Sequence, residues 1–175
     1  PKLTYPQPSR DLQGGGLFDP VKVSSDGTVA LSATSFSKDG GWFAYSVSVA
    51  GSDWVEIYVM DTETKGIMPD LIKWVKFSGA RWAADSKGFY YSRYDEPAKG
   101  SELSGQNQFQ KVYYHKLGDE QGKDKLIYSD AAHPLRYFNA HESYDGKYIF
   151  VYGSEGTHGT EVLYRETAKA NAPFK

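Results

Sequence analysis

A hairpin that recurs three times limits what this chain can fold into. Thr34 to Val47 (TSFSKDGGWFAYSV), Ala80 to Arg93 (ARWAADSKGFYYSR) and Ala140 to Gly153 (AHESYDGKYIFVYG) each place a turn between two strand-like runs. The turns are Asp39-Gly40, Asp85-Ser86 and Asp145-Gly146, with the aspartates 46 and 60 residues apart. Asp followed by Gly or Ser suits a two-residue hairpin turn, because Gly accepts positive φ freely and Asp tolerates it. A third strand follows each hairpin, as WVEIYVMD, KVYYHKLG and TEVLYRET, and a weaker fourth follows the first two, around GIMPDLIKWV and KDKLIYSD. Four antiparallel strands repeating at about 40–50 residues are the pattern of a β-propeller blade.

Composition supports an all-β fold. Fourteen tyrosines, nine phenylalanines and four tryptophans, with eighteen glycines, favour aromatic strands cut by tight turns. The expected organisation is an N-terminal tail or linker over 1–16 and a partial, open propeller over 17–175, in units of about 29–72, 76–129 and 136–167. Closed propellers use about 4–8 blades, so two full units and a third ending after its third strand at Tyr164 leave strand edges unpaired. Such edges invite self-association. The stretch Asp95 to Gln110, rich in Gly, Ser, Glu and Gln, reads as a long mobile loop on one rim.

Several function classes are excluded. The net charge of −2 gives no one-sign field for nucleic acid or an anionic membrane. No apolar run approaches the roughly 20 residues that span a bilayer, and the opening PKLTYPQPSR has no apolar signal core. The absence of cysteine points to a reducing, cytoplasmic setting. A search for catalytic motifs finds no GxSxG and no phosphate loop. His115, His133, His141 and His158 lack metal spacing and read as surface or turn residues, so neither a metal nor a cofactor is expected. Acidic residues beside turns and strand ends read as solvated, and Ser37, Asp39 and Gly41 fit an SxDxG box that the other two repeats do not keep.

FSKDGGWFAY, WAADSKGFYY and ESYDGKYIFV resemble the hairpin repeat of the prolyl oligopeptidase propellers. The ordered strings FDP, SSDGTVALS, FSKDGGWFAYSVSVAGSDW, VKFS, DSKGFYYSRY, KVYYHKLG and KLIYSD extend that resemblance over about Leu17 to Tyr164. The opening TYPQPSRD is similar to the family's YPxxxRxD, after which Gln13 to Gly16 leads straight to the end of a first blade. The resemblance implies a seven-bladed propeller capping an α/β-hydrolase domain that carries a Ser-Asp-His triad and cleaves short peptides after proline. These 175 residues hold no part of that triad, so the implied role is substrate gating for a hydrolase domain supplied elsewhere. The resemblance also implies three peptide-binding residues. Phe77 matches a phenylalanine of the apolar wall, Tyr137 stands where many members have methionine, and Thr157 stands where animal members have a reactive cysteine. Ser154 replaces an arginine and Gly79 a cysteine of some members. Two other readings stay open at this point: a noncatalytic peptide- or protein-binding module that recruits a strand at an open edge, and a nonfunctional product of a truncated gene.

Overall fold

Runs of β-branched and aromatic residues become strands here wherever a turn lets the next run lie beside the last. A computed structural model describes residues 3–4, 16–18, 29–49, 51–101, 106–157 and 159–175. Among them are thirteen strands: β1 Leu3–Thr4, β2 Gly16–Phe18, β3 Val29–Phe36, β4 Trp42–Val49, β5 Val55–Asp61, β6 Ile67–Val75, β7 Arg81–Trp82, β8 Gly88–Arg93, β9 Lys111–Lys116, β10 Lys125–Ser129, β11 Tyr137–Glu142, β12 Tyr148–Ser154 and β13 Glu161–Glu166. The only helical element among the described residues is one 3-10 turn, Gln121–Lys123.

The strands form an open, partial β-propeller. β3 to β6 make one antiparallel meander and β7 to β10 a second, and the two join into one sheet where Val75 of β6 pairs with Arg93 of β8. β11, β12 and β13 form a separate three-stranded sheet. β1 pairs with β2, so part of the expected tail is strand, whereas Gln13 to Gly15 lie outside the described residues.

The hairpin turns differ from the expectation in length. Ser37 N–H bonds the Trp42 carbonyl and Gly40 N–H bonds the Ser37 carbonyl, which leaves four residues in the turn. The same two bonds recur at Ala83 with Gly88 and Ser86, and at Ser143 with Tyr148 and Gly146. A four-residue turn built this way puts its third residue in the left-handed region, at Gly40 (φ 76°), Ser86 (φ 58°) and Gly146 (φ 71°). The first and third turns share a further lock. Ser37 Oγ donates to Asp39 Oδ1 at 2.6 Å and accepts from Trp42 N–H at 2.9 Å, and Ser143 does the same with Asp145 and Tyr148 at 2.7 and 3.0 Å. The Ser and Asp of the SxDxG box therefore form a turn lock that the third repeat shares, and Ala83 explains why the second repeat lacks it. These hydroxyl bonds hold the Asp39 carboxyl below the usual carboxylate range, and the Ser143 bond, with Lys147, takes Asp145 down to about 2.

Packing runs face to face between the strand sets. Ala44, Ile57, Val59 and Ile72 of the first meet Phe89 and Tyr91 of the second. Val112 and Tyr90 of the second meet Phe138, Ile149 and Val151 of the third. Because β8 is covered on both sides, Gly88 to Ser92 are all buried, which is why its sequence does not alternate. A side chain at Gly88 would run into the His115 carbonyl, so that strand must begin with glycine.

The C-terminus corrects a second expectation. Beyond β13 the chain turns back, and Lys175 and Tyr164 exchange both backbone hydrogen bonds, at 2.9 and 3.0 Å. Phe174 packs on Tyr128 and covers the Arg165 guanidinium. The third sheet thus has the start of a fourth-strand contact where only a tail was expected.

Candidate functional site

The link from β6 to β7 carries the residue on which the functional expectation rests. Val75 is buried, and the chain then passes through Lys76, Phe77, Ser78, Gly79 and Ala80 before β7 begins. Phe77 therefore precedes the inner strand instead of starting it, and it has φ 57°. Trp74, three residues earlier, has φ 62°. Bulky residues in this region cost about 1–3 kcal/mol each and persist only where surrounding contacts hold them.

Those contacts are polar. Gln110 is fully buried; its Nε2 donates to the Lys76 carbonyl at 2.7 Å and its Oε1 accepts from Phe138 N–H. Ser78 Oγ accepts from Ser92 N–H at 2.9 Å, and Ser92 Oγ donates to the Phe138 carbonyl at 2.6 Å. Both ends of the Phe77 link are thus tied to the residue that follows Tyr137. Phe77 is left 58% exposed, with its ring centroid 6.1 Å from that of Tyr137. A core role for Phe77 within this chain is excluded by that exposure. Tyr137 Oη donates to the Gly156 carbonyl at 3.3 Å, which places the aromatic pair next to the exposed turn residue Thr157. Phe77 and Tyr137 are distant in sequence and neighbours in space, and Thr157 follows the glycine that Tyr137 bonds.

A cleft of about 380 Å³ lies beside this group, between the β3–β4 wall and the link. Its size falls at the low end of small-ligand sites. Ser35 Oγ donates to the Ala80 carbonyl at 2.9 Å and Trp82 Nε1 donates to the Ser35 carbonyl at 3.3 Å, holding the two walls together. Lys76 lies over the Trp54 and Phe77 rings, 5.0 and 5.6 Å from their centroids, and pairs with Asp53. No group of three or more His, Asp or Glu suited to a metal ion occurs among the described residues.

The sequence profile described as prolyl oligopeptidase, N-terminal beta-propeller domain, matches residues 5–175. The chain belongs to that family. It is 43% identical over 150 residues to the prolyl endopeptidase of Elizabethkingia meningoseptica, covering 86% of this chain and 21% of the relative. Prolyl oligopeptidase A of Amanita bisporigera is 39% identical over 173 residues, covering 88% and 22%. Among solved structures, one from a study of two prolyl endopeptidases and their inter-domain dynamics superposes with a TM-score of 0.80 at 32% identity, over 93% of this chain and 22% of that one. Prolyl oligopeptidase B from Galerina marginata, bound to a 35mer hydrolysis and macrocyclization substrate, gives 0.80 at 34%, over 87% and 22%. The chain spans about a fifth of these relatives' length, all of it within the propeller domain, and the catalytic domain is not part of it.

Elsewhere in this propeller the histidine expectation fails at one position. His115 is not a surface or turn residue: it is fully buried, with Nδ1 2.7 Å from Asp124 Oδ1 and Nε2 2.9 Å from Asp70 Oδ1. Both aspartates are equally buried, which contradicts the reading of all carboxylates as solvated. Only an imidazolium can donate to both. Burial pulls its pKa down, but bonds from the two carboxylates outweigh this and lift it to about 9. The Asp70 carboxyl is pushed up by burial, yet ends below the usual range through His115 and the Gly118 amide. The cluster ties β6 to β9 with essentially no side-chain exposure, which makes its role structural. His133 and His141 are exposed as expected, and His158 lies outside the described residues.

Two residues were invisible to motif reading. Gln110 sits at the end of a polar insertion and looked like loop surface; Phe109, with φ 60° and its N–H on the Pro134 carbonyl, turns it inward. Residues 102–105 of that loop lie outside the described residues, and Asp95 at its start pairs with Lys111.

Proposed function

We propose that this chain is the substrate-gating part of a prolyl oligopeptidase-type serine peptidase, acting with an α/β-hydrolase domain outside these 175 residues on short proline-containing peptides. The observation that carries this reading is the exposed Phe77 ring, held in a left-handed backbone next to Tyr137 by buried hydrogen bonds that leave the ring itself uncovered. Phe77 and Tyr137 form an apolar wall against which a prolyl ring stacks, and Thr157 borders it. In this reading residues 1–16 are a leading segment and 17–175 the propeller, in units of about 29–72, 76–129 and 136–167. No cysteine requires an oxidising compartment, which supports a cytoplasmic location. No helix among the described residues is long and apolar enough to cross a membrane.

The test joins the chain to a separately expressed hydrolase domain of the Elizabethkingia relative and follows cleavage of a proline-containing peptide. The chain alone shows no turnover, because it brings neither nucleophile nor oxyanion hole. With the hydrolase domain present, Phe77→Ala lowers kcat/KM by an amount worth about 1–3 kcal/mol. Its folding stability stays within about 0.5 kcal/mol, as for surface positions. Phe77→Gly separates the two roles further, since glycine relieves the left-handed backbone and raises stability by up to about 1 kcal/mol while removing the wall. A stability loss near the 3–5 kcal/mol of a core phenylalanine, with normal kinetics per folded molecule, refutes the wall.

A further inference from the structure

The charge lining the cleft beside Phe77 is of one sign. The β3–β4 wall is small and neutral, with residues such as Ala33 and Ser46, and the facing side presents Phe77, Arg81 and Asn139. Arg81 is the only ionisable group in that lining. It sits at the start of β7, exposed, and its guanidinium has no hydrogen bond or ion pair among the described residues. The other described arginines are engaged. Arg136 pairs with Glu161 at 2.6 Å, Arg93 lies over Tyr113, and Arg165 lies over Phe174.

The surroundings do not cancel this charge. A second cleft of about 280 Å³ shares Arg81 and contains Lys38 and Glu142. Glu142 keeps its negative charge but makes no ion pair with Arg81: Ala84 N–H and Tyr90 Oη donate to its two oxygens at 2.8 and 2.6 Å. His141 feels Arg81 as well, its pKa lowered by burial first and by that guanidinium second. Lys76, the other cation near the Phe77 ring, is paired with Asp53.

We propose that Arg81 and Asn139 form a carboxylate subsite, so that the cleft takes peptides carrying a carboxylate near the residue stacked on Phe77. The guanidinium fork matches a carboxylate's two oxygens, and the Asn139 amide adds a donor from the facing strand. The carboxylate can be an acidic side chain or a peptide C-terminus. This inference rests on the reading of Phe77 as a peptide wall.

The test measures binding of four labelled proline-containing hexapeptides to this chain by fluorescence anisotropy at low salt. They carry Glu or Gln beside the prolyl residue, each as a C-terminal acid or a C-terminal amide. The Gln amide peptide is expected to bind about fivefold more weakly than whichever acidic peptide fits, the size of a good exposed ion pair. Comparing Glu amide with Gln acid shows which carboxylate is read. Arg81→Gln should erase the preference, so that acidic and neutral peptides bind alike, and 1 M salt should do the same to the unmodified chain. Phe77→Ala should weaken all four peptides alike. Equal binding of all four peptides with intact Phe77 dependence overturns the carboxylate subsite and leaves the wall standing. Failure of all four to bind, or binding indifferent to Phe77→Ala, overturns both.

Discussion

Two seams hold this partial propeller together, and they use opposite chemistry. Between the first and second strand sets, beside neutral bonds such as that from Ser35 to Ala80, lies an ionic cluster: Asp70, His115 and Asp124 meet with essentially no solvent exposure. Between the second and third sets the polar link is made of single hydrogen bonds: Phe138 N–H donates to Gln110, Ser92 donates to the Phe138 carbonyl, and Ala84 and Tyr90 donate to Glu142. The strands at the two seams also differ in coverage. β8 is buried over Gly88 to Ser92, whereas β12 alternates, with Ile149, Val151 and Gly153 buried and Tyr148 exposed on the other face. Both polar links are buried, Gln110 and Ser92 as fully as His115, so the seams differ in charge and not in exposure.

The comparison breaks most sharply at His115. Replacing it by alanine leaves two buried carboxylates facing each other, and stability should fall by about 3–5 kcal/mol, as when one partner of a buried ion pair is removed. Urea unfolding followed by tryptophan fluorescence reads this directly. A loss below 1 kcal/mol would show that the first seam does not depend on its ions.

Gln110→Ala should cost less, about 1–3 kcal/mol in all, because the groups it leaves without a partner, the Lys76 carbonyl and the Phe138 amide, are neutral and the first is only partly buried. The loss should also move the link beneath Phe77, so the Phe77 and Tyr137 ring resonances should shift in NMR spectra. Unchanged ring shifts would mean that Gln110 supports the fold without placing the wall.

The seams should separate with pH. An imidazole that titrates near 6.5 when unfolded and about 9 when folded lends its full stabilisation below pH 6.5 and loses it as pH rises to 9. Asp70, held below its ordinary value, has the opposite dependence and weakens only in acid. Tyr90 is pushed up by burial and by Glu142, so it keeps its proton throughout this window. Hydrogen exchange, corrected for its intrinsic pH dependence, should accelerate between pH 7 and 10 at the Gly118 amide, bonded to Asp70, before the Ala84 amide, bonded to Glu142. Parallel acceleration would mean that the seams open together.

The smallest effect on stability is expected on the open face of the third sheet, where Tyr148, Phe150 and Tyr164 contact one another with ring centroids about 6 Å apart. Tyr164→Ser should change stability by under 0.5 kcal/mol, yet lower any self-association measured by light scattering, since exposed aromatic patches favour contact between copies. Equal association before and after the substitution would assign it to another surface.

The hairpins were legible because their chemistry is local: Asp39, Asp85 and Asp145 each sit beside the left-handed residue that the turn requires. Strand positions followed closely, since aromatic and β-branched runs mark pleated, covered surface. Phe77, Tyr137 and Thr157 could be named from the family motif, but their proximity depends on Gln110 and Ser92 and on the stacking of separate sheets. His115 defeated local reading because its partners lie 9 and 45 residues away. In the string KVYYHKLG nothing distinguishes a buried histidine from an exposed one.

Ser86 gives the repeats an order. It occupies the turn position that is glycine in the other two hairpins, and its hydroxyl receives the Asp39 amide of the preceding turn at 3.2 Å. Glycine there would relax the backbone but delete the tie. The three hairpins are therefore not interchangeable modules: a shuffled gene that moved the second hairpin to the first or third place would keep every turn foldable and still lose the contact that tells one repeat which neighbour precedes it.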